Sequence, residues 1–303
     1  MSGQEAAERL GVSRTAVFKR ISILRKQGYV IESAVGKGYK LSPRFDGLLP
    51  LEIRSKNKSK VFGREVVTKE SVDSTQNCLR GLAEKGAPEG TVVVALEQTA
   101  GKGRMERRWS SPRGGLWFSL LLRPRIPLGE IYKLTLLFGA SVSLALEPFN
   151  IKSLIKWPND LLFEDKKLCG ILTETSAEPE RLTYVLVGIG VNANFSVRQL
   201  PEELRERSTS TYDILGKNID RAELLGRILE KSEELYSEAG KSGFAPIIES
   251  WRRRSCTLGR KVMVKSIKET LKGLAVDLND DGSLLLETGK KRVSVYSGDV
   301  TFL

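Results

Sequence analysis

The chain has 303 residues, room for two or three domains with a sizeable core, and its 40% apolar and 28% charged content lies near the average of folded soluble proteins. Its longest mostly apolar stretch, Leu134 to Leu146, is broken by Gly139, Ser141 and Ser143 and falls short of the ~20 residues a bilayer needs; with no apolar leader in the first ten residues, a cytoplasmic protein with no membrane partner is expected. The net charge of +12 favours polyanionic partners, the absence of histidine removes the commonest general base and metal ligand together, and Cys78, Cys169 and Cys256 are spaced for neither a disulfide framework nor a zinc site.

In chain order, Gln4 to Leu10, the turn Gly11-Val12-Ser13 and Arg14 to Gln27 have the spacing of a helix-turn-helix. Ser13 caps the second helix, and Val17, Ile21 and Leu24 form its inward stripe. Its outward face offers Arg14, Thr15, Lys19 and Arg20, and Gly36 to Lys40 predicts a wing with Lys37 at the tip. Ser13, Arg14, Thr15, Lys19, Arg20 and Lys37 are therefore the candidate DNA contacts. Residues 1–50 hold nine Lys or Arg against four Asp or Glu, so they supply +5 of the +12. A small helical pair with a solvated basic face fits the same pattern. Only three residues precede Gln4, where a winged helix-turn-helix ordinarily has another helix, so the stripe is expected to lack a packing partner.

Pro43, Gly47 and Pro50 predict a linker over residues 44–60 that closes a first domain of residues 1–43. Residues 61–255 mix strands such as Thr91 to Glu97 and Leu116 to Leu122 with helices at Ser74 to Lys85, Ile131 to Leu146 and Arg221 to Tyr236, an α/β pattern. Residues 256–303 read as short strands at Lys261 to Ile267, Gly273 to Leu278, Leu284 to Glu287 and Val293 to Phe302, a small β-barrel or sandwich. The fold class is α+β.

Two segments of the central region carry chemistry. Glu97 to Trp109 ends a strand in a loop with two glycines and four cations, which suits phosphates or an ordinary solvated turn. Lys156-Trp157-Pro158-Asn159-Asp160 is followed by Lys167-Leu168-Cys169-Gly170-Ile171-Leu172. The first reads as a corner ending one strand and Lys167 as opening the next, with Asp160 and Lys167 at one mouth of the sheet. A structural corner with a surface Lys-Asp pair fits equally.

Together, "GKGRMERRW", "KWPND" with "KLCGIL", "DSTQN" at Asp73 to Asn77 and "GIGVN" at Gly188 to Asn192 resemble the biotin protein ligase family, in its bifunctional branch whose members also repress the biotin operon. The likeness covers essentially the whole chain. It implies a winged helix-turn-helix, a mixed α/β ligase domain and a small SH3-like β-barrel. It further implies adenylation of biotin by ATP with Mg2+, transfer to a lysine of a biotin carboxyl carrier protein, operator DNA as a possible partner, and a homodimer. By the same resemblance Lys167, Arg104 and Asp160 are catalytic. Ser74, Thr75, Gln98, Gly101, Lys102, Lys167 and Gly170 contact biotin, Arg104, Arg107, Trp109, Asn159 and Asn192 contact ATP or the adenylate, and no metal ligand is assignable.

The chemistry suits a chain without histidine. A biotin carboxylate is already ionised at neutral pH, so alignment and charge stabilisation suffice. Lys102 stands where the family usually has arginine, and Glu106 where it often has glycine. Lipoate or octanoate enzymes of the same superfamily are the alternative, with Cys169 as a nucleophile rather than a buried thiol; a biotin sensor without ligase activity is another.

Overall fold

A computed structural model describes residues 1–303 except 27–28, 35, 42–47, 179–180 and 267–268. The expected helix end at Gln27, the boundary at Pro43 with residues 44–47 of the linker, and Ile267 lie outside the described residues. At the N-terminus α1 (Gly3–Leu10) and α2 (Arg14–Lys26) precede the paired strands β1 (Ile31–Ala34) and β2 (Gly38–Leu41). Gly11 turns between the helices at φ +61°, and Ser13 Oγ accepts the Ala16 amide at 3.2 Å, as a cap requires. Val17 and Ile21 bury against Ala7, with Val12, Ile31 and Tyr39 packed around them. The inward stripe thus has a partner in α1 and the wing, although Leu24 is only half-buried.

Next come α3 (Pro50–Lys56), β3 (Val66–Val72), α4 (Thr75–Glu84), β4 (Val92–Gln98), β5 (Leu116–Leu122), α5 (Tyr132–Leu146), β6 (Leu154–Lys156), β7 (Asp160–Phe163), β8 (Lys166–Glu178) and β9 (Arg181–Val191). The helices α6 (Glu202–Arg205), α7 (Thr211–Leu215), α8 (Arg221–Ser242) and α9 (Ala245–Arg253) follow. Among the described residues seven strands form one sheet in the order β3-β4-β5-β9-β8-β7-β6, parallel only between β3 and β4. The parallel pair needs a crossover, and α4 supplies it.

Alternation along the strands builds two faces. Val92 and Val94 of β4, Phe118 and Leu120 of β5 and Val185, Val187 and Ile189 of β9 enter the main core with α5, α8 and α9. Val93, Leu121, Tyr184 and Leu186 point the other way, onto Leu79 and Ala83 of α4. α5 is apolar all round because it is buried all round, between the sheet and α8 and α9.

The described part of the expected linker is folded, which corrects that reading. Pro50 occupies the first turn of α3, where its missing N–H costs nothing, and Ile53 is fully buried. α3 crosses α8 so closely that a Cβ on Gly226 would lie 2.7 Å from the Lys56 carbonyl oxygen. Beyond it, the amides of Lys60, Val61 and Phe62 all donate to the Glu233 carboxylate of α8, each at 2.7 Å.

The last strands are β10 (Lys261–Lys265), β11 (Thr270–Leu278), β12 (Leu284–Thr288), β13 (Lys291–Val295) and β14 (Asp299–Phe302), in the order β13-β12-β11-β10-β14. The stretch expected as one strand from Val293 to Phe302 is two, because the chain turns at Gly298, φ +157°, to bring β14 beside β10. This sheet docks on the corner before β7: the Trp157 amide donates to Thr257 Oγ1 at 2.8 Å and its indole to the Gly282 carbonyl at 3.3 Å.

Candidate active site

On the α4 face of β9 the alternation continues from Tyr184 and Leu186 to Gly188 and Gly190, while Ile189 and Val191 stay in the core. Gly190 is paired with Gly170 of β8, so the sheet is bare there. The indole of Trp109 lies over this bare patch: a Cβ on Gly190 would come 2.6 Å from its Nε1, and one on Gly170 would come 2.9 Å from its ring. Among the described residues that buried Nε1 meets no hydrogen-bond acceptor. The patch floors a cavity of about 610 Å3.

The Asp73 to Asn77 motif builds one end of the cavity. Ser74 caps α4, its Oγ accepting the Gln76 amide at 3.2 Å. Thr75 donates to Gln98 Oε1 through its amide at 2.8 Å and lies 2.8 Å from Ser119 Oγ, while Gln98 Nε2 donates to Ser111 Oγ at 2.8 Å. Ser74, Thr75 and Gln98 thus form a polar wall fixed by its own hydrogen bonds. At the rim Lys102 Nζ donates to Asn77 Oδ1 at 2.7 Å.

Cations gather at the other end. Lys167 Nζ lies 2.8 Å from Asp160 Oδ1, close but poorly aligned for a hydrogen bond, and 5.0 Å from the centroid of Trp109. Arg104 Nη1 donates to Asn159 Oδ1 at 3.0 Å and to the Gly298 carbonyl at 3.3 Å, and Arg107 makes a close ion pair with Asp299. The cationic loop is therefore held against β14. Burial pushes the Arg104 guanidinium pKa down, against the opposing pull of Asp299 and Asp160, and burial likewise lowers the Lys156 ammonium. Such a site favours an arriving anion, which would restore the lost solvation.

Local geometry departs from the sequence reading at several places. The Trp157-Pro158 corner, with a cis peptide bond, joins β6 to β7, so Asp160 opens a strand instead of ending one. A second turn, at Glu164 and Asp165 with φ of 49° and 59°, leads into β8, yet Asp160 and Lys167 still meet. Gly101 is buried beneath the loop, where a Cβ would lie 2.5 Å from the Trp109 carbonyl, and is absent from the wall of the main cavity. The Asn192 amide is spent on the carbonyls of Lys167 and Thr209, at 3.3 and 2.9 Å, so it braces Lys167. Met105 and Glu106 both have positive φ, 54° and 56°; glycine takes that conformation without strain. The remaining candidates line the cavity: Lys102, Arg104, Arg107, Trp109, Asn159, Asp160, Lys167 and Gly170.

Gly188, Gly190 and Lys156, named in the motifs without a role, also line it, as do Arg207 and Asp299, which sequence reasoning missed. Two glycines at strand spacing were a readable signal; Asp299, on the C-terminal sheet, had none. Cys169 is fully buried, and burial pushes its thiol pKa strongly up, which leaves no accessible nucleophile there. No described helix is long and apolar enough to cross a membrane.

Comparison with known proteins finds the same three regions in the same order. Residues 68–192 match the Biotin/lipoate A/B protein ligase family, residues 1–40 an HTH domain and residues 257–303 the Biotin protein ligase C terminal domain. The bifunctional ligase/repressor BirA of Bacillus subtilis is 42% identical over 99% of this chain and 93% of its own length, and that of Escherichia coli 30% identical over 94% and 88%. The structure of a biotin protein ligase from Aquifex aeolicus in complex with biotin and ATP superposes with a TM-score of 0.69 at 34% identity, over 79% of this chain and 99% of that one. With all three of its regions matched and these identities spanning nearly its full length, this chain belongs to the biotin protein ligase family, in the bifunctional ligase/repressor branch.

Proposed function

We propose that this protein joins biotin to ATP as biotinyl-5′-AMP, then passes biotin to a lysine of a biotin carboxyl carrier protein, and that its first domain binds operator DNA as a biotin-responsive repressor. The observation that carries the ligase reading is the Lys167 and Asp160 pair, 2.8 Å apart, at the cationic end of a cavity with a bare glycine floor. In the first step a biotin carboxylate oxygen attacks the α-phosphorus and the bond to pyrophosphate breaks. Lys167 leaves Asp160 to bridge carboxylate and α-phosphate, and Arg104 and Arg107 hold the phosphates. Magnesium comes on the nucleotide; among the described residues no cluster of three Cys, Asp or Glu is placed to hold it.

At the opposite end Ser74, Thr75 and Gln98 face the polar head of biotin, and Gly170 lets the ligand approach the backbone while Trp109 packs along it. Lys102 and Gly101 shape the loop above, and Asn159 and Asn192 serve the adenylate end by fixing Arg104 and Lys167. In the second step the acceptor amine attacks the anhydride carbonyl, AMP leaves, and the amine proton passes to Asp160.

With biotin, ATP and magnesium, the purified chain should release pyrophosphate and label a carrier domain. Release driven by lipoate or octanoate but not biotin would move the reading to the lipoate enzymes, and biotin binding with no release at all would leave a sensor. The buried Cys169 speaks against a cysteine transferase. For the repressor role, DNA upstream of the protein's own gene should shift with biotin and ATP; no shift at low salt would remove it. A homodimer suits a helix-turn-helix reading two half-sites, and sedimentation of the liganded protein measures it.

A further inference from the structure

Phe18 is 60% exposed in the middle of α2, the second helix of the helix-turn-helix. Helical spacing puts it on one face with Arg14 and Thr15 a turn before and Ser22 a turn after, with Lys19 beside it. The buried Val17 and Ile21 lie to one side of it, and the ring, still 60% exposed, borders the core stripe without entering it. The helix holds Arg14, Lys19, Arg20, Arg25 and Lys26 and no acidic residue. Arg25 ties α2 to the wing, donating to the Ile31 carbonyl at 2.6 Å and to Ser33 Oγ at 3.0 Å, with Lys37 exposed at the wing tip. An apolar ring therefore sits inside a cationic surface, with phosphate-seeking side chains around it.

That charge selects a polyanion over an apolar protein groove, and a helix of this kind presents its outward face to the major groove. The apolar group displayed there is the 5-methyl of thymine, which a phenyl ring contacts favourably. We infer that Phe18 is a specificity-determining residue that reads thymine through its 5-methyl group. This rests on the DNA-binding reading above.

The test uses the full chain with biotin, ATP and magnesium and duplexes selected from a random library. The selected duplexes carry an invariant thymine, and replacing it by deoxyuridine weakens binding about fourfold, the factor for one buried methyl. Phe18→Ala binds the two duplexes equally. A chain that tolerates deoxyuridine at every thymine, or a Phe18→Ala variant that keeps the fourfold preference, overturns the inference while leaving DNA binding intact. If no duplex is selected at low salt, the DNA-binding reading itself falls and takes the inference with it. If Phe18→Ala instead breaks a dimer in the absence of DNA, the ring is a subunit contact and the inference is wrong.

Discussion

Lys167→Met removes a charge while keeping most of the side-chain stem. In the structure the ammonium lies 2.8 Å from Asp160 and 5.0 Å from the Trp109 centroid, with the side chain one-third exposed, so bulk water screens it only partly. A unit charge about 4 Å from charge developing at the α-phosphate is worth about 4 kcal/mol at an effective dielectric constant of about 20. Loss of one preorganised donor from such sites costs about 10²- to 10³-fold, which agrees. Biotin-dependent pyrophosphate exchange should therefore fall about 10²- to 10³-fold. Biotin affinity, followed by tryptophan emission, should fall less than about tenfold, because Ser74, Thr75 and Gln98 are untouched. The variant also strands Asp160, so Lys167→Met with Asp160→Asn is the control. Equal losses of affinity and rate, or recovery of the exchange rate in the double variant, would refute the charge-stabilising role.

Gly190→Ala puts a methyl 2.6 Å from Trp109 Nε1, so the indole must shift; a melting-temperature loss worth about 1–3 kcal/mol and weaker biotin binding are expected, and unchanged tryptophan emission would contradict it. Asp299→Asn releases Arg107 from β14, so biotinyl-AMP should escape or hydrolyse a few-fold faster, the modest size reflecting an ion pair more than half exposed on its arginine side. Burial raises the Cys256 thiol pKa to about 11 and pushes that of Cys169 up as well. On raising the pH the unfolded chain loses these protons first, so their contribution to stability is intact below about pH 8.5 and fades as pH climbs towards 11. Melting temperatures from pH 8 to 11 should fall less steeply in Cys256→Ala; an identical slope would remove the thiol from the explanation.

Where hydrophobic period and local chemistry agree, the fold was legible. The strand Leu116 to Leu122 and the helix expected at Ser74 to Lys85, found as α4, follow directly from the residues. Pro50 misled because a proline that opens a helix and a proline that punctuates a linker look alike until Ile53 has something to pack on. Val293 to Phe302 read as one strand because nothing local says that Asp299 must return to pair with Lys265. At the site, the polar wall and the cationic loop were written in motifs, and their meeting with Asp299 and Gly298 was not, since it depends on how the C-terminal sheet docks. Asn192 shows a subtler limit: a motif can place a residue at the site while hiding that its amide faces backbone carbonyls.

The three amides gathered by Glu233 fasten the segment after α3 to the long helix of the ligase domain, and the Leu51 amide in turn donates to Tyr29 Oη beneath the wing at 3.2 Å. The described part of the connection between DNA reader and enzyme is thus hydrogen-bonded to both. Tether statistics, in which reach grows with the square root of length, do not describe a segment ordered in this way. In the proposed homodimer the distance between the two readers would follow from how two ligase domains meet, making the dimer a ruler for the operator: inserting half a helical turn of DNA between half-sites should abolish binding, and a full turn should not restore it.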